Sequence, residues 1–191
     1  MRRQLVLAST SPYRRALLGR LGLPFEVAAP QCDETPLLNE APQDTASRLA
    51  ALKAKSLAYP DALVIGSDQV AFSQGKRLDK PGDHATATQQ LRALSGEAAE
   101  FHTAVALLDT KTGDLQQKVV PCRVIFRNLD DRTIESYLRR EQPYDCAGSA
   151  KAEGLGIALI ARIETDDPTS LIGLPLIALT GMLGRAGLPV V

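Results

Sequence analysis

The sequence predicts an α/β fold: a mixed, twisted sheet flanked by helices. Three observations carry the prediction. Leu5-Val6-Leu7-Ala8 and Ala62-Leu63-Val64-Ile65 are short and continuously apolar, the pattern of strands covered on both faces. Helix-period segments alternate with strand-like ones along the chain, which is how helices come to pack against a sheet. Ala104–Leu108 and Val119–Phe126 read as strands joined across Thr112-Gly113-Asp114, a hairpin-like pair, so the sheet is not purely parallel.

Each element has its own signal. After the first strand, Ser11 suits an N-cap and Pro12 the first helical position, and Gly22 suits the C-terminal cap. Phe25–Ala29 reads as a second strand, and the polar, Pro-containing stretch from Pro30 to Pro42 as a long loop. A second helix is expected over Asp44–Ala58. The run Ala62–Ile65 is a strand ending in Gly66-Ser67-Asp68, a composition common in turns. Gln74-Gly75 reads as a turn, and Asp83 as the cap of a helix reaching Leu94. Asp131–Arg140 suits a helix, Ile157–Ile160 a last strand, and Leu174–Arg185 the final helix.

With 191 residues the chain fits a single domain, 1–191, which can have two lobes. Its 22 basic and 22 acidic residues balance, which argues against a broad basic surface for nucleic acid. Cys32, Cys122 and Cys146 have no C-x-x-C spacing and read as reduced structural thiols. The apolar stretch after Met1-Arg2-Arg3 is too short for a signal-peptide core, and no window is long enough to span a membrane. A cytoplasmic protein without nucleic-acid or membrane partners is expected.

Charges on core-facing positions are the informative feature. At roughly 100° per residue, Arg14 falls within the arc of Leu17, Leu18 and Leu21, while Arg20 falls outside it. On the second helix Lys53 projects into the face shared by Leu49, Ala50 and Leu57, and Arg48 and Lys55 point elsewhere. A cation there either snorkels, forms a structural ion pair or meets an anionic ligand. Two such cations on different helices favour a shared anion, and Lys80, before Pro81-Gly82, is a third candidate. The turn Ser9-Thr10-Ser11-Pro12 leads a strand into a helix N-terminus, where backbone N–H groups and the helix dipole attract anions.

Asp68 is the complementary group. It follows a buried strand, and ligands in open α/β sheets gather at the carboxyl ends of strands. There it reads as a metal ligand, a proton acceptor or a plain turn residue. Asp33-Glu34 lies in a long loop, and Glu153 in a glycine-rich run whose backbone permits close approach to a ligand. Neither a Walker A loop nor G-x-S-x-G occurs, and His84 and His102 lack metal-ligand spacing.

In order, the segments Leu7-Ala8-Ser9-Thr10-Ser11-Pro12-Tyr13-Arg14-Arg15, Asp33-Glu34, Lys53-Ala54, Gly66-Ser67-Asp68-Gln69-Val70 and Lys80-Pro81 resemble the Maf-like nucleotide pyrophosphatases. Leu94-Ser95-Gly96, Ala147-Gly148-Ser149, Glu153-Gly154 and Ile172-Gly173-Leu174-Pro175 extend the resemblance over nearly the whole chain. It implies two lobes around a cleft, a fold like that of the inosine-triphosphate pyrophosphatases, and hydrolysis between the α and β phosphates of a nucleoside triphosphate. It further implies a divalent cation, Mg²⁺ or Mn²⁺, held by Asp68 and Glu34, with Asp68 as proton acceptor and Ser9, Arg14, Lys53 and Lys80 on the phosphates. A homodimer is also suggested. At the family's three specificity positions stand Tyr13, Gln69 and Glu153. Gln69 and Glu153 look like the subgroup acting on 7-methyl-GTP, whose members carry Trp where this chain has Tyr13. The subgroup acting on dTTP and UTP has Arg, Thr and Gln there. Rival readings are that dTTP/UTP activity, a non-catalytic nucleotide-binding regulator of cell division, and a phosphatase releasing orthophosphate.

Overall fold

A computed structural model describes residues 3–191; Met1 and Arg2, part of the N-terminal segment read above, lie outside the described residues. The strands are β1 (Gln4–Ala8), β2 (Glu26–Ala28), β3 (Ala62–Ser73), β4 (Lys76–Arg77), β5 (Ala98–Asp109), β6 (Leu115–Phe126) and β7 (Ile160–Thr165). The helices are α1 (Pro12–Gly19), α2 (Pro42–Lys55), α3 (His84–Leu94), α4 (Asp131–Glu141) and α5 (Leu176–Arg185). The sheet is mixed and seven-stranded, in the order β2-β1-β3-β5-β6-β7, with the short β4 paired to β3. β1 runs parallel to both β2 and β3, whereas β4 is antiparallel to β3 and β7 to β6.

The chain gathers into two compact units. The first holds the chain up to Gln69 with His102–Val120 and Asp167–Val191; the second holds Val70–Phe101 and Pro121–Asp166. In the first unit, β1 and β3 pair with Leu5 beside Leu63 and Leu7 beside Ile65. These four leucine and isoleucine side chains join Leu17 and Leu18 of α1 and Leu179, Met182 and Leu183 of α5 in one buried cluster. The opposite face of β3 meets α2. A Cβ built on Gly66 would lie 2.0 Å from the Ala50 carbonyl oxygen and 2.7 Å from the Ala54 nitrogen. Only a residue without a side chain lets the helix backbone approach this closely. Helices on both faces are why β1 and the start of β3 are apolar without alternation.

Asp167 is buried, 2% exposed, yet belongs to no helix or strand. Its Oδ2 accepts from the backbone N–H groups of Ile177 at 2.7 Å and Ala178 at 3.3 Å, at the start of α5. Pro175, the residue at the cap position, makes no side-chain cap hydrogen bond, so a carboxylate from the preceding loop does that work.

In the second unit, Asp83 caps α3 through the Thr86 N–H and Asp130 caps α4 through the Thr133 N–H. Ala87, Leu91 and Leu94 of α3 and Ile134 and Leu138 of α4 are buried. His84 sits between Tyr144, at 2.9 Å from Nδ1, and Glu135, at 2.8 Å from Nε2.

Several boundaries differ from the sequence reading. β3 does not end at Ile65 but runs on to Ser73: Ser67 and Gln69 find side-chain partners on β5 and in residues 170–173, and Gly66 makes room for α2. Asp68 is therefore inside a strand, not in a strand-end turn. Residues 157–160 are mostly not a strand: Leu155–Leu159 is a 3₁₀ turn and β7 starts at Ile160. The Leu155 N–H is taken by Glu141 Oε2 at 2.7 Å, so the apolar run begins as a turn fixed by a side chain. β5 and β6 both begin earlier than predicted, at Ala98 and Leu115, and α2 starts at Pro42, where proline suits the first turn. Among the described residues no helix is long and apolar enough to cross a membrane.

Candidate active site

The first unit brings Arg14, Glu34, Lys53 and Asp68 together. Lys53, on α2, is 5% exposed, and its ammonium lies 2.7 Å from both Asp68 Oδ1 and Glu34 Oε2. Asp68 is itself 8% exposed, whereas the Glu34 side chain is about half exposed. A buried ammonium is tolerated only when paired, and here two carboxylates share it. Oδ1 of Asp68 is engaged by Lys53, leaving Oδ2 for a further partner.

Arg14 projects from α1, and its Nε donates to the Gly173 carbonyl at 2.9 Å. Burial pulls its pKa below the ordinary arginine value, and the negative charges of Asp68 and Glu34 oppose that shift. The same Gly173 oxygen lies 2.9 Å from Ser67 Oγ, which is also 2.8 Å from the Ala104 carbonyl. Gly173 has φ +121°, a conformation open chiefly to glycine, and it aims its carbonyl at both side chains.

Ser9 follows β1 and is buried, with its Oγ accepting from the Ser11 N–H at 3.1 Å. Ser11 in turn accepts from the Arg14 N–H and caps α1, after Pro12 has set the first turn. The polar turn is thus a working helix cap at the α1 N-terminus. Tyr13, in the first turn of α1, is half-buried.

The loop that carries Glu34 is tied at two points. Thr35 donates from N–H and hydroxyl to Asp33 Oδ1 at 2.9 and 2.6 Å, which lowers the Asp33 pKa. Arg48 of α2 grips Glu40 through Nε at 2.7 Å and Nη2 at 2.8 Å, and also donates to the Thr35 carbonyl. This fork pulls the Glu40 carboxyl down to about 2. Within this setting the Cys32 thiol is pushed up, first by burial and then by the Glu34 charge.

Gln69 is half-buried at the end of the first unit's part of β3. Its Nε2 has three acceptors in reach: Thr103 Oγ1 at 2.8 Å, the Ser170 carbonyl at 3.0 Å and the Leu171 carbonyl at 3.1 Å. Sequence reading missed Thr103, Ser170, Gly173 and Arg48. Gly173 stood in a quoted motif without a role; the others carried no local signal.

Lys80 and Glu153 belong to the second unit, and both are exposed. Gln90 of α3 holds the segments of both: Nε2 donates to the Asp79 carbonyl at 2.9 Å, and Oε1 accepts from Ser149 Oγ at 2.6 Å. The Glu153 segment is further fixed by α4. Glu141 pairs with Lys151 Nζ at 3.3 Å, and the Lys151 N–H donates to Tyr137 Oη at 3.0 Å.

Comparison with known proteins decides the family. A family model described as Maf-like protein matches residues 4–186. The chain belongs to the Maf-like family. This Maf-like chain is 56% identical over 188 residues to a protein of Cupriavidus pinatubonensis named 7-methyl-GTP pyrophosphatase, covering 97% of the chain and 94% of that relative. Relatives of the same name from Cupriavidus metallidurans and Thiobacillus denitrificans are 57% and 58% identical, with the same coverage. A solved structure of a HAM1 protein from Coxiella burnetii aligns with a TM-score of 0.43 at 17% identity, over 65% of the Maf-like chain and 73% of that one. The mixed α/β architecture stands on the chain's own sheet order.

Proposed function

We propose that this chain hydrolyses 7-methyl-GTP, or a closely related modified nucleoside triphosphate, to the monophosphate and pyrophosphate. The observation that carries the chemistry is the buried Lys53 held between Asp68 and Glu34, with Arg14 within electrostatic reach of both carboxylates. The names of its relatives, together with Gln69 and Glu153, support the choice of base.

The four charges sum to zero, from two cations and two carboxylates. A triphosphate entering beside them carries about four negative charges that must be offset as the bond breaks. Arg14 and Lys53 would lie along the phosphates with Ser9 at the α1 N-terminus, and Lys80 is read as a further phosphate-binding cation from the sequence resemblance alone. Asp68 Oδ2 would take the proton of the attacking water while Lys53 holds Oδ1 and keeps the carboxylate oriented.

Among the described residues no group of three or more His, Cys, Asp or Glu side chains could hold a metal ion. That donor set does not suit a self-contained metal centre. It does suit Mg²⁺, which commonly takes one or two carboxylates and completes its shell with substrate phosphates and water. On this reading Asp68 and Glu34 would hold a divalent cation that arrives with the nucleotide. When bound, the cation would neutralise phosphate charge and polarise the anhydride. Work on free nucleotides would place the chain in the cytoplasm.

The test is a panel of nucleotides that includes 7-methyl-GTP, GTP, dTTP and UTP, with both products identified. Pyrophosphate release is expected, and orthophosphate as first product would refute the reaction. Asp68→Asn should lower kcat by about 10²-fold or more, as for loss of a general base, with nucleotide binding largely kept. Full activity in that variant would sink the assignment.

A further inference from the structure

The amide of Gln69 can be oriented from its surroundings. Thr103, on β5, is fully buried, and its hydroxyl donates to the Ser170 carbonyl at 2.9 Å. A hydroxyl has one proton, so toward Gln69 the same oxygen can only accept. The group facing Thr103 must therefore be the amide NH₂. The carbonyls of Ser170 and Leu171, at 3.0 and 3.1 Å, impose the same choice. Turning the amide over would set its oxygen against three acceptors. With Nε2 committed, Oε1 of the half-buried Gln69 makes no hydrogen bond among the described residues, and it is not among the fully buried polar atoms left without a partner.

We propose that Thr103 is a positioning residue for base selection. With the two carbonyls it locks Gln69 so that Oε1 is presented as an acceptor for a ring N–H of the base. This deepens the reading above and rests on it, since it takes Gln69 as the residue that meets the base. The chemical class selected is the lactam bases: guanine, hypoxanthine, uracil and thymine carry a ring N–H donor beside a carbonyl. Adenine and cytosine carry a bare ring nitrogen at that edge, which would face Oε1 acceptor to acceptor. Methylation at N7 leaves the guanine N1–H in place, and the positive charge it adds makes that N–H a stronger donor. Sites built around a specific hydrogen bond reject analogues that lack it far more strongly than apolar pockets reject a missing methylene.

The test uses the full-length protein and two readouts: calorimetric binding of GMP, 7-methyl-GMP, 1-methyl-GMP and AMP, and kcat/KM for the matching triphosphates. Wild type should prefer GMP over both AMP and 1-methyl-GMP by about 10-fold or more, the scale of one lost hydrogen bond to a buried group. Thr103→Val replaces a hydroxyl 2.8 Å from Nε2 with a methyl that needs about 3.5 Å, so it displaces the amide. It should compress that preference to within about threefold, while Thr103→Ser, which keeps the hydroxyl, retains it. A residue that only supports the fold would change both nucleotides' binding together and leave the preference unmoved. Unchanged preference in folded Thr103→Val overturns the proposal. If that variant fails to fold, the wild-type arm decides, because equal binding of GMP and 1-methyl-GMP overturns it by itself. Selective binding without turnover would refute the proposed reaction and leave the role of Thr103 standing.

Discussion

Gly66→Ala is the sharpest test of how the fold holds the site. The added methyl carbon would sit 2.0 Å from the Ala50 oxygen and 2.7 Å from the Ala54 nitrogen, both backbone atoms of α2. Heavy atoms rest comfortably at about 3.5 Å, so helix and strand must separate by roughly 1–1.5 Å. No rotamer change can absorb this, because the obstacle is backbone. Overpacking of this kind costs about 1–3 kcal/mol, and a backbone clash belongs near the upper end. The lower chain entropy of alanine in the unfolded state returns about 0.4–1 kcal/mol. The net loss is about 2 kcal/mol, a fall in Tm of roughly 4–8 °C for a chain of this size. Lys53 lies between Ala50 and Ala54 on the same helix, so the shift should also loosen its 2.7 Å contact with Asp68. We expect kcat/KM to fall by about 10- to 100-fold, in line with the cost of ångström-scale misplacement. The measurements are thermal and urea denaturation together with pyrophosphate release. Gly19→Ala is the matched control: its Cβ would meet nothing within 4 Å, so the same change in α1 should be neutral or slightly stabilising. A Gly66→Ala protein with a Tm within about 2 °C of wild type and unaltered kcat/KM would refute the packing argument.

Two further predictions concern single carboxylates. Asp167→Asn keeps the shape but puts an NH₂ against either the Thr169 donors or the Ile177 and Ala178 donors. It should cost about 1–3 kcal/mol in urea denaturation, the scale of unmet buried hydrogen bonds, with the base preference unchanged. Asp109, gripped by Arg3 and by the N–H groups of Lys111 and Thr112, has its pKa held well below the usual carboxylate range. A lowered folded-state pKa means the unfolded chain binds the proton more readily. The contribution is therefore complete above about pH 4 and is lost as pH falls through the depressed value. Stability measured from pH 6 downward should decline less steeply below about pH 4 in Asp109→Asn than in wild type. Parallel curves would show that this carboxylate does not contribute to the acid limb.

What the sequence revealed was mostly local. Helical arcs singled out Arg14 and Lys53 against Arg20 and Lys55, and the structure buries Lys53 and leaves Arg20 and Lys55 exposed. The caps at Ser11 and Asp83 were legible because each acts within one turn of its own helix. Asp68 was singled out as a candidate, but its setting was misjudged. Gly-Ser-Asp reads as a turn until partners more than 30 residues away are known: Ala104 and Gly173 for Ser67, Thr103 and Ser170 for Gln69. No periodic pattern encodes such partners. The same limit hid Arg48, whose hold on the Glu34 loop depends on where that loop folds back.

The alternation of β3 explains why four consecutive residues matter at once. In a strand, neighbours point to opposite faces and residues two apart share one. Gly66 and Asp68 face α2: one admits the helix backbone, and the other meets the lysine that the helix carries. Ser67 and Gln69 face the other way, to Gly173 and to the pair Ser170 and Leu171. The Gly173 carbonyl also takes Arg14, so the second face governs the cation proposed for the phosphates as well as the amide proposed to read the base. A one-residue slip in this strand would exchange the two sets, putting Asp68 against backbone carbonyls and Ser67 against Lys53. The register of Leu7 with Ile65 and Ala8 with Gly66, fixed by the apolar core one turn of pleat earlier, is what prevents it. The apolar run Ala62–Ile65 is thus part of the site's specification: by holding the register it decides which face each of the next four residues serves.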